Sequence, residues 1–436
     1  MSQPAGLDRS LGWTHATAMV VGTIIGAAIF VQPSEITLRM PSVAGILVVW
    51  LAAGALTLCG ALALAELSSA FPETGGIYVY LKEAYSPAAG FLWGWAMLWS
   101  IHSGVIAAIA MVFARYLAFF VPLDDLGQRL VAVAVIVVLT AVNYVGVRHG
   151  GLVQNVFTGA KLLAVAALIA AGLLLAGKAP AAPAAGLGEV TGEGFILALA
   201  AGLFAYGGWH MVTYVSGETK DAGTVIPRAL LFGTLIVTAC YAGLNYVYLR
   251  VLPLDAVRAS SRVAADAADA LLGGGGAALV TGLVLVSTFG AVNGIILTGP
   301  RVYYSMARDG LLFRWLGAVH PRFKTPHWAL LLQAVLASAL AMTGTYRALF
   351  IRVVYTEWNF FALLAFSLLR LRRRAEYRPA WRMWGYPVVP LLFVAASAVI
   401  VAVQVQAEPL NSAVGLGLVL LGLPVYFVWR LLRRAR

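Results

Sequence analysis

Two glycine-rich strings are the first features of the sequence whose residues could support chemistry. They run from Gly22 to Phe30 and from Gly202 to Trp209. A glycine costs a helix about 1 kcal/mol relative to alanine and admits backbone conformations that other residues avoid, so each string predicts a broken helix. A helix that begins at a break exposes N–H groups that suit a carboxylate, and one that ends there exposes carbonyls that suit an ammonium. Two adjacent breaks therefore predict a site for a zwitterion.

Lys161 is the second candidate, because it is a lone cation inside an apolar run. The residues from 156 to 160 and from 162 to 177 carry no charge. An ammonium in hydrocarbon is costly unless it is paired or solvated, so such residues tend to carry function. Snorkelling to the membrane surface is the alternative. The predicted helix puts Lys161 about eight residues from the helix start, or roughly 12 Å, which leaves both interpretations open.

The histidines and the carboxylates in or near the apolar runs are the residues that could make the chain an enzyme. His210 lies inside an apolar run beside Trp209 and is a functional candidate that titrates near neutral pH, although a hydrogen-bonded packing role is equally compatible. The six histidines are scattered, and none pair at metal-ligand spacing. Glu66 and Glu357 fall near predicted helix ends, where interfacial hydration or a helix-start preference explains them. We therefore expect no enzyme, no metal and no cofactor, and no charged ring of a channel is visible.

Composition identifies the elements that must position these residues. Of 436 residues, 61% are hydrophobic and 11% are charged, whereas roughly 25% are charged in soluble proteins. The apolar residues form runs of about 20, the length that crosses a bilayer as a helix. This pattern predicts an all-α polytopic membrane protein with about twelve transmembrane helices. Their expected spans are 12–37, 43–69, 88–120, 129–147, 153–177, 194–217, 228–252, 274–304, 327–345, 349–371, 387–407 and 411–432.

The placement of the glycine strings suggests how the helices are organised. Close helix packing would explain either string alone, but the two fall in helices 1 and 6, which are corresponding positions of two inverted five-helix repeats. We expect a first repeat in residues 1–190, a second in 191–375, and two additional helices in 376–436. Most of the 30 Lys and Arg residues lie in gaps on the same side as the termini. The positive-inside rule then places both termini in the cytoplasm, and the net charge of +12 reflects topology and not nucleic-acid binding.

Several segments together resemble the L-type amino acid transporter branch of the amino acid, polyamine and organocation superfamily. They are Gly22 to Phe30, Phe71 to Tyr78, Val153 to Lys161, Phe204 to Trp209, and Arg301 to Gly310. The resemblance covers nearly the whole chain. It implies two inverted five-helix repeats with broken helices 1 and 6, two further helices, and transport by alternating access.

The resemblance also implies a substrate site at the two breaks. Backbone N–H groups around Gly26, Ala27 and Ala28 would bind the substrate carboxylate. Carbonyls near Thr23, Ile24, Phe204 and Ala205 would accept from its ammonium, and Phe204 would be an aromatic gate. The remaining implied contacts are Ile25, Tyr206, Gly207, Gly208 and His210. The chain departs from the family at Ala28, where glycine is common, and at His210, where asparagine is frequent.

Lys161 bears on energy coupling. By resemblance it occupies the place where sodium-coupled relatives hold Na⁺, near Gly22 and a helix 8 hydroxyl, here Ser287 or Thr288. A fixed positive charge would repel sodium, so we expect sodium-independent transport, with exchange of neutral L-amino acids as the leading hypothesis. Burial disfavours a charged lysine, so proton-coupled symport of amino acids or related amines through Lys161 is the alternative.

The sequence also bears on partners and location. Eukaryotic relatives carry a cysteine between helices 3 and 4 that ties them to a heavy subunit, whereas the stretch from Val121 to Arg129 has none. We therefore expect no disulfide-linked heavy subunit and no nucleic acid. The expected partners are an amino acid substrate and the lipid of a prokaryotic cytoplasmic membrane.

Overall fold

The computed structural model describes residues 7–175, 191–260, 262–344 and 356–434, and these are almost entirely helical. The α-helices are α1 Trp13–Ile24, α2 Ala28–Arg39, α3 Val43–Ala70, α4 Ile77–Ala84, α5 Pro87–Ala96, α6 His102–Leu117, α7 Asp125–Val145, α8 Val147–Leu175, α9 Gly192–Ala205, α10 Ala222–Val251, α11 Leu254–Ala259, α12 Val263–Leu272, α13 Gly276–Thr298, α14 Pro300–Arg308, α15 His327–Thr343, α16 Thr356–Leu371, α17 Val388–Ala407, α18 Pro409–Leu420 and α19 Gly422–Arg434. A π-helical turn, Met97–Ile101, joins α5 to α6, and 3₁₀ segments occupy Trp209–Glu218 and Arg314–Gly317.

The described helices confirm a multi-pass membrane protein. Nine spans in these ranges are long and apolar enough to cross a bilayer, or ten when α1 and α2, which meet at 44°, count as one bent span. The shorter helices α15 and α16 lie where the two remaining spans are predicted. The predicted start of the tenth span, residues 349–355, lies outside the described residues. The predicted ends of the fifth and ninth spans, at 177 and 345, and the predicted boundary at residue 190 also lie outside them.

Apolar side chains on the outer helices face lipid. On α8, Leu163 is 73% exposed and Leu174 is 80% exposed. Exposure of these leucine side chains is unfavourable in water but not in the hydrocarbon of a membrane. The backbone polar groups need no water there, because they are hydrogen-bonded within each helix. The opposite side of α8 carries its polar residues and packs against α1 and α13.

Helix α8 begins earlier than the sequence predicts. Gly146 has a φ of 157° and turns the chain in one residue between Val145, where α7 ends, and Val147, where α8 begins. Lys161 therefore lies near the middle of a 29-residue helix, about 21 Å from its first residue and not 12 Å. The predicted spans 3 and 6 are also not uniform, because the π-helical turn and the 3₁₀ segment interrupt them.

Glu66 is not hydrated at an interface as the sequence suggested. Its side chain is fully buried near the end of α3, and its carboxylate accepts hydrogen bonds from the Arg372 guanidinium at 2.8 and 2.5 Å. The backbone N–H of Met383 donates to the same carboxylate at 2.8 Å. Arg372 and Met383 therefore connect the segment after α16 to the end of α3.

Candidate substrate and cation site

The first break separates α1 from α2. The N–H of Ile25 still donates to Val21 at 2.9 Å, but that of Gly26 turns to the carbonyl of Ile24 at 2.8 Å. Among the described residues, no backbone acceptor is found for the N–H groups of Ala28, the first residue of α2, and of Ala27, its N-cap. Free N–H groups at a helix N-terminus suit an anion.

The second break follows α9 and lies against the first. Gly208 adopts a φ of 98°, a conformation that favours glycine, and the 3₁₀ segment begins after it. The Thr23 hydroxyl, whose shortest contact is with the Met19 carbonyl at 2.7 Å, also lies 3.1 Å from the carbonyl oxygen of Gly208. A Cβ atom on Gly208 would lie 3.0 Å from the Thr23 carbonyl oxygen, so glycine also permits this close approach.

Tyr241 on α10 links the two breaks, and nothing in the sequence marks it, because it is one aromatic residue in an apolar run. Its hydroxyl lies 3.0 Å from the carbonyl oxygen of Ile24 and 3.0 Å from that of Ala205. One hydroxyl proton serves only one acceptor fully. The two carbonyls, both predicted to accept from a substrate ammonium, therefore retain accepting capacity.

Exposure at the breaks is one-sided. Ala27, Ala28 and Phe204 are partly exposed and Gly207 is exposed. Thr23, Ile24, Ile25, Gly26, Ala205, Tyr206 and Gly208 are buried. The α2 and α9 side therefore gives access to the breaks, and Phe204 lies at that opening.

Lys161 reaches the first break from α8. Its side chain is fully buried, and Nζ donates to the carbonyls of Gly22 at 3.1 Å, Ile25 at 2.7 Å and Ser287 at 3.0 Å. An ammonium has three N–H donors, and each one has an acceptor here. The geometry contradicts snorkelling, since the charge lies among carbonyls in the protein interior.

The two predicted helix 8 hydroxyls point in different directions. Ser287 Oγ donates to the Ile25 carbonyl at 2.9 Å and lies 3.4 Å from that of Gly26. Thr288 Oγ1 donates to Val284 in its own helix at 2.7 Å. Ser287 therefore contributes its carbonyl to Lys161 and its hydroxyl to the break, whereas Thr288 bonds within α13.

A polar stripe on α8 continues from Lys161 along α1. Gln154, Thr158 and Lys161 are four and three residues apart, which places them on one helix face. Thr158 Oγ1 donates to the Ala18 carbonyl at 3.1 Å, and Gln154 Nε2 lies 3.4 Å from the same oxygen. A Cβ atom on Gly22 would lie 1.9 Å from Gln154 Nε2. Gly22 therefore serves close packing, while Gly208 serves the break.

His210 lies two residues beyond Gly208 and is 1% exposed. Neither ring nitrogen has a hydrogen-bond partner in the described part of the chain, so the hydrogen-bonded packing role is not observed. Aromatic rings surround the imidazole, with centroids at 5.7 Å for Trp93, 5.9 Å for Trp209, 5.6 Å for Tyr214 and 5.1 Å for Phe361.

The opposite side of the breaks is closed by ion pairs. Arg301 and Glu218 are both fully buried and share contacts of 2.7 and 2.9 Å. Closer to the surface, Asp309 accepts from Lys82 at 2.8 Å and from the Tyr78 hydroxyl at 2.6 Å. Partial burial lowers the pKa of Lys82, but Asp309 and Glu83 outweigh it and hold that pKa above its usual value.

A multi-pass helical protein whose two broken spans meet at an opening on one side, with ion pairs on the other, has the architecture of a secondary transporter. The chain belongs to the amino acid permease family, which it matches over residues 11–426. It is a transporter and not an enzyme.

Curated relatives of this family match nearly the whole chain. The serine/threonine exchanger SteT of Bacillus subtilis (strain 168) is 32% identical over 97% of both chains. The human large neutral amino acids transporter small subunit 2 is 32% identical over 97% of this chain and 80% of its own. The human b(0,+)-type amino acid transporter 1 is 32% identical over 92% and 84%.

Proposed function

We propose that the protein exchanges neutral L-amino acids across the cell membrane by alternating access, without sodium. The names of the relatives support amino acids as the substrate class, and one of those names describes an exchanger. The distribution of Lys and Arg supports cytoplasmic termini. In that orientation the opening at α2 and α9 faces outside, and the ion pairs of Glu218 and Asp309 close the cytoplasmic side.

The breaks would hold the two charges that all such substrates share. The free N–H groups at Ala27 and Ala28, with Gly26 beside them, are suited to the carboxylate. The ammonium would bind to carbonyl oxygens, namely those of Thr23 and Phe204. It would also bind the carbonyl of Ile24 or of Ala205, depending on which of the two the Tyr241 hydroxyl does not occupy. Phe204, at the opening, would cover the bound substrate. The next residues of the second break, Tyr206 to His210, would face its side chain.

The observation that carries the sodium-independent assignment is the position of the Lys161 ammonium. Carbonyl oxygens of Gly22, Ile25 and Ser287 converge on it at 2.7–3.1 Å. Carbonyl oxygens at a helix break are also what transporters use to coordinate Na⁺. The Lys161 ammonium is a cation that is covalently attached to the protein. It donates hydrogen bonds to these oxygens permanently and would repel a second cation. We infer that Lys161 replaces a coupling ion and holds the first break in its bent form.

Proton-coupled symport remains the second candidate, because a buried lysine can release its proton. The contacts favour exchange over it. Three carbonyl acceptors stabilise the charged form of Lys161. Loss of the proton would leave one or more of these acceptors without its donor.

Thermal stabilisation of the purified protein tests the substrate class. A ligand at 100 times its Kd raises stability by about 2.7 kcal/mol, so millimolar neutral amino acids should raise the melting temperature. Their decarboxylated amines, which lack the group assigned to Ala27 and Ala28, should not. Stabilisation by polyamines and by no amino acid would contradict the assignment of the carboxylate site.

A further inference from the structure

Two buried histidines beside the second break carry ring nitrogens without a hydrogen-bond partner among the described residues. These atoms are both ring nitrogens of His210 and Nε2 of His102. The buried side chains of Trp93 and Tyr214 lie beside them and interact with each other. Each side chain is at most 1% exposed. In proteins about 90% or more of buried polar groups are hydrogen-bonded. Three unpartnered nitrogens in one place indicate that a polar group binds there during the working cycle.

The four side chains form one cluster. The ring centroids are 5.7 Å apart for Trp93 and His210, 5.6 Å for His210 and Tyr214, and 5.7 Å for Tyr214 and His102. They come from α5, from α6 and from the 3₁₀ segment Trp209–Glu218. The cluster therefore connects the second broken helix to the third span. His210 is two residues from Gly208, which places the cluster next to the charges that the breaks would bind.

We propose that Trp93, His102, His210 and Tyr214 form a polar subsite that selects amino acids with an uncharged hydroxyl or carboxamide side chain. This inference rests on the proposed function and narrows its substrate class. A hydroxyl or amide can donate to an imidazole nitrogen and can accept from the Tyr214 hydroxyl. An aliphatic side chain satisfies none of these atoms.

The groups around the subsite argue against charged side chains. The faces of Trp209 and Phe361, which pack against the His210 ring, would repel a substrate carboxylate. On the other side, Tyr303 of α14 already pairs with His102 Nδ1 at 2.9 Å, which leaves only Nε2 of that ring for a ligand. No arginine or lysine lies over any of these rings in the described residues.

Isosteric substrates provide the sharpest test. Threonine and valine have nearly the same shape, as do asparagine and leucine, but only the first of each pair can hydrogen-bond. A site built to hydrogen-bond a substrate group can reject the analogue without it by as much as 10⁴-fold. In counterflow competition with the full-length protein in liposomes, we expect threonine to compete at least 10-fold better than valine, and asparagine better than leucine.

Two variants separate the subsite from the rest of the transporter. His210→Phe keeps an aromatic ring without nitrogens and should reduce the threonine-to-valine ratio to within about 2-fold. His210→Asn restores a donor and an acceptor and should recover the preference. A merely structural role for His210 would lower competition by both substrates equally and leave the ratio unchanged.

Three results would overturn the subsite. They are equal competition by threonine and valine in the wild type, stronger competition by lysine or arginine than by threonine, and an unchanged ratio in His210→Phe. Failure of the proposed function would give a different result in the same assay. In that case no amino acid, whether hydroxylated, aliphatic or charged, would compete or exchange.

Discussion

Two buried polar regions flank the helix breaks, and they differ in how well their atoms are satisfied. Around Lys161, every donor of the ammonium has an acceptor, and Ser287 and Thr158 add hydroxyls that also have partners. Around His210, neither ring nitrogen has one among the described residues. Satisfied groups stabilise the fold without help, whereas unsatisfied ones lower its stability until a ligand arrives. We infer from this difference that the region around Lys161 stabilises the structure of the transporter and that the region around His210 recognises the substrate.

The largest effect is expected at Lys161. Lys161→Ala removes three charged hydrogen bonds, each worth about 1.5–3 kcal/mol, and takes the ammonium away from three buried carbonyls, of which that of Ile25 keeps the Ser287 hydroxyl. Amino acid exchange should fall by at least about 100-fold in liposomes. Leu163→Ala, two residues along the same helix on its lipid-facing side, is the matched control and should exchange normally. Unimpaired exchange by Lys161→Ala would remove the lysine from the mechanism.

Breaking the ion pair of Arg301 and Glu218 tests whether a second pair of hydrogen-bonded buried groups also stabilises the fold. Arg301→Met leaves a buried carboxylate unpaired, which costs about 3–5 kcal/mol. Thermal unfolding in detergent should show this loss. The double variant Arg301→Met with Glu218→Met should recover much of it, because neither charge is then left alone. A single variant as stable as the wild type would mean that water satisfies Glu218.

Tyr241→Phe should give a smaller effect that depends on substrate. Loss of the hydroxyl removes a donor from the carbonyls of Ile24 and Ala205 and leaves that of Ile24 with the Gly26 N–H, at a cost of about 1 kcal/mol. If a substrate ammonium binds there, it should restore this loss, so substrate should stabilise the variant more than it stabilises the wild type. Tyr246→Phe, on the same helix with a 39% exposed side chain, is the control. Equal stabilisation of Tyr241→Phe and wild type would place the ammonium elsewhere.

The smallest effect on stability is expected at His210. His210→Phe removes two unsatisfied nitrogens and keeps the ring, so the substrate-free protein should be as stable as the wild type, or more stable by less than about 1 kcal/mol. Lys161→Met, which also replaces a buried polar residue by an apolar one, should be clearly destabilised. A large loss in His210→Phe would show that His210 has a hydrogen bond in the resting protein, and the contrast between the two regions would disappear.

The sequence predicts the architecture well because its signals are local. Runs of apolar residues predict the spans, and Gly26 and Gly208 mark the breaks. Lys161 stands out because a charge in such a run is rare. The one-residue turn at Gly146 is local too, but apolar residues on both sides hide it, so the start of α8 is predicted six residues late.

The parts that the sequence does not predict depend on contacts between distant segments. Tyr241 and Ile24 are 217 residues apart, and Glu66 and Arg372 are 306 apart. Tyr241 does not differ in type or setting from residues that only fill space, and the sequence marks Glu66 as a carboxylate without identifying its partner. Likewise, Trp93 and His102 become candidates only when the fold brings them to His210. Pairings of this kind arise from packing, which one sequence does not encode in any local pattern.

Counterflow in liposomes tests the central claim, that a tethered ammonium replaces a coupling ion, most directly. Liposomes loaded with unlabelled amino acid should take up labelled substrate at the same rate whether the outer buffer contains sodium or potassium, and with or without an imposed pH gradient. Empty liposomes should take up almost none. Uptake into empty liposomes driven by a sodium or proton gradient would contradict the claim.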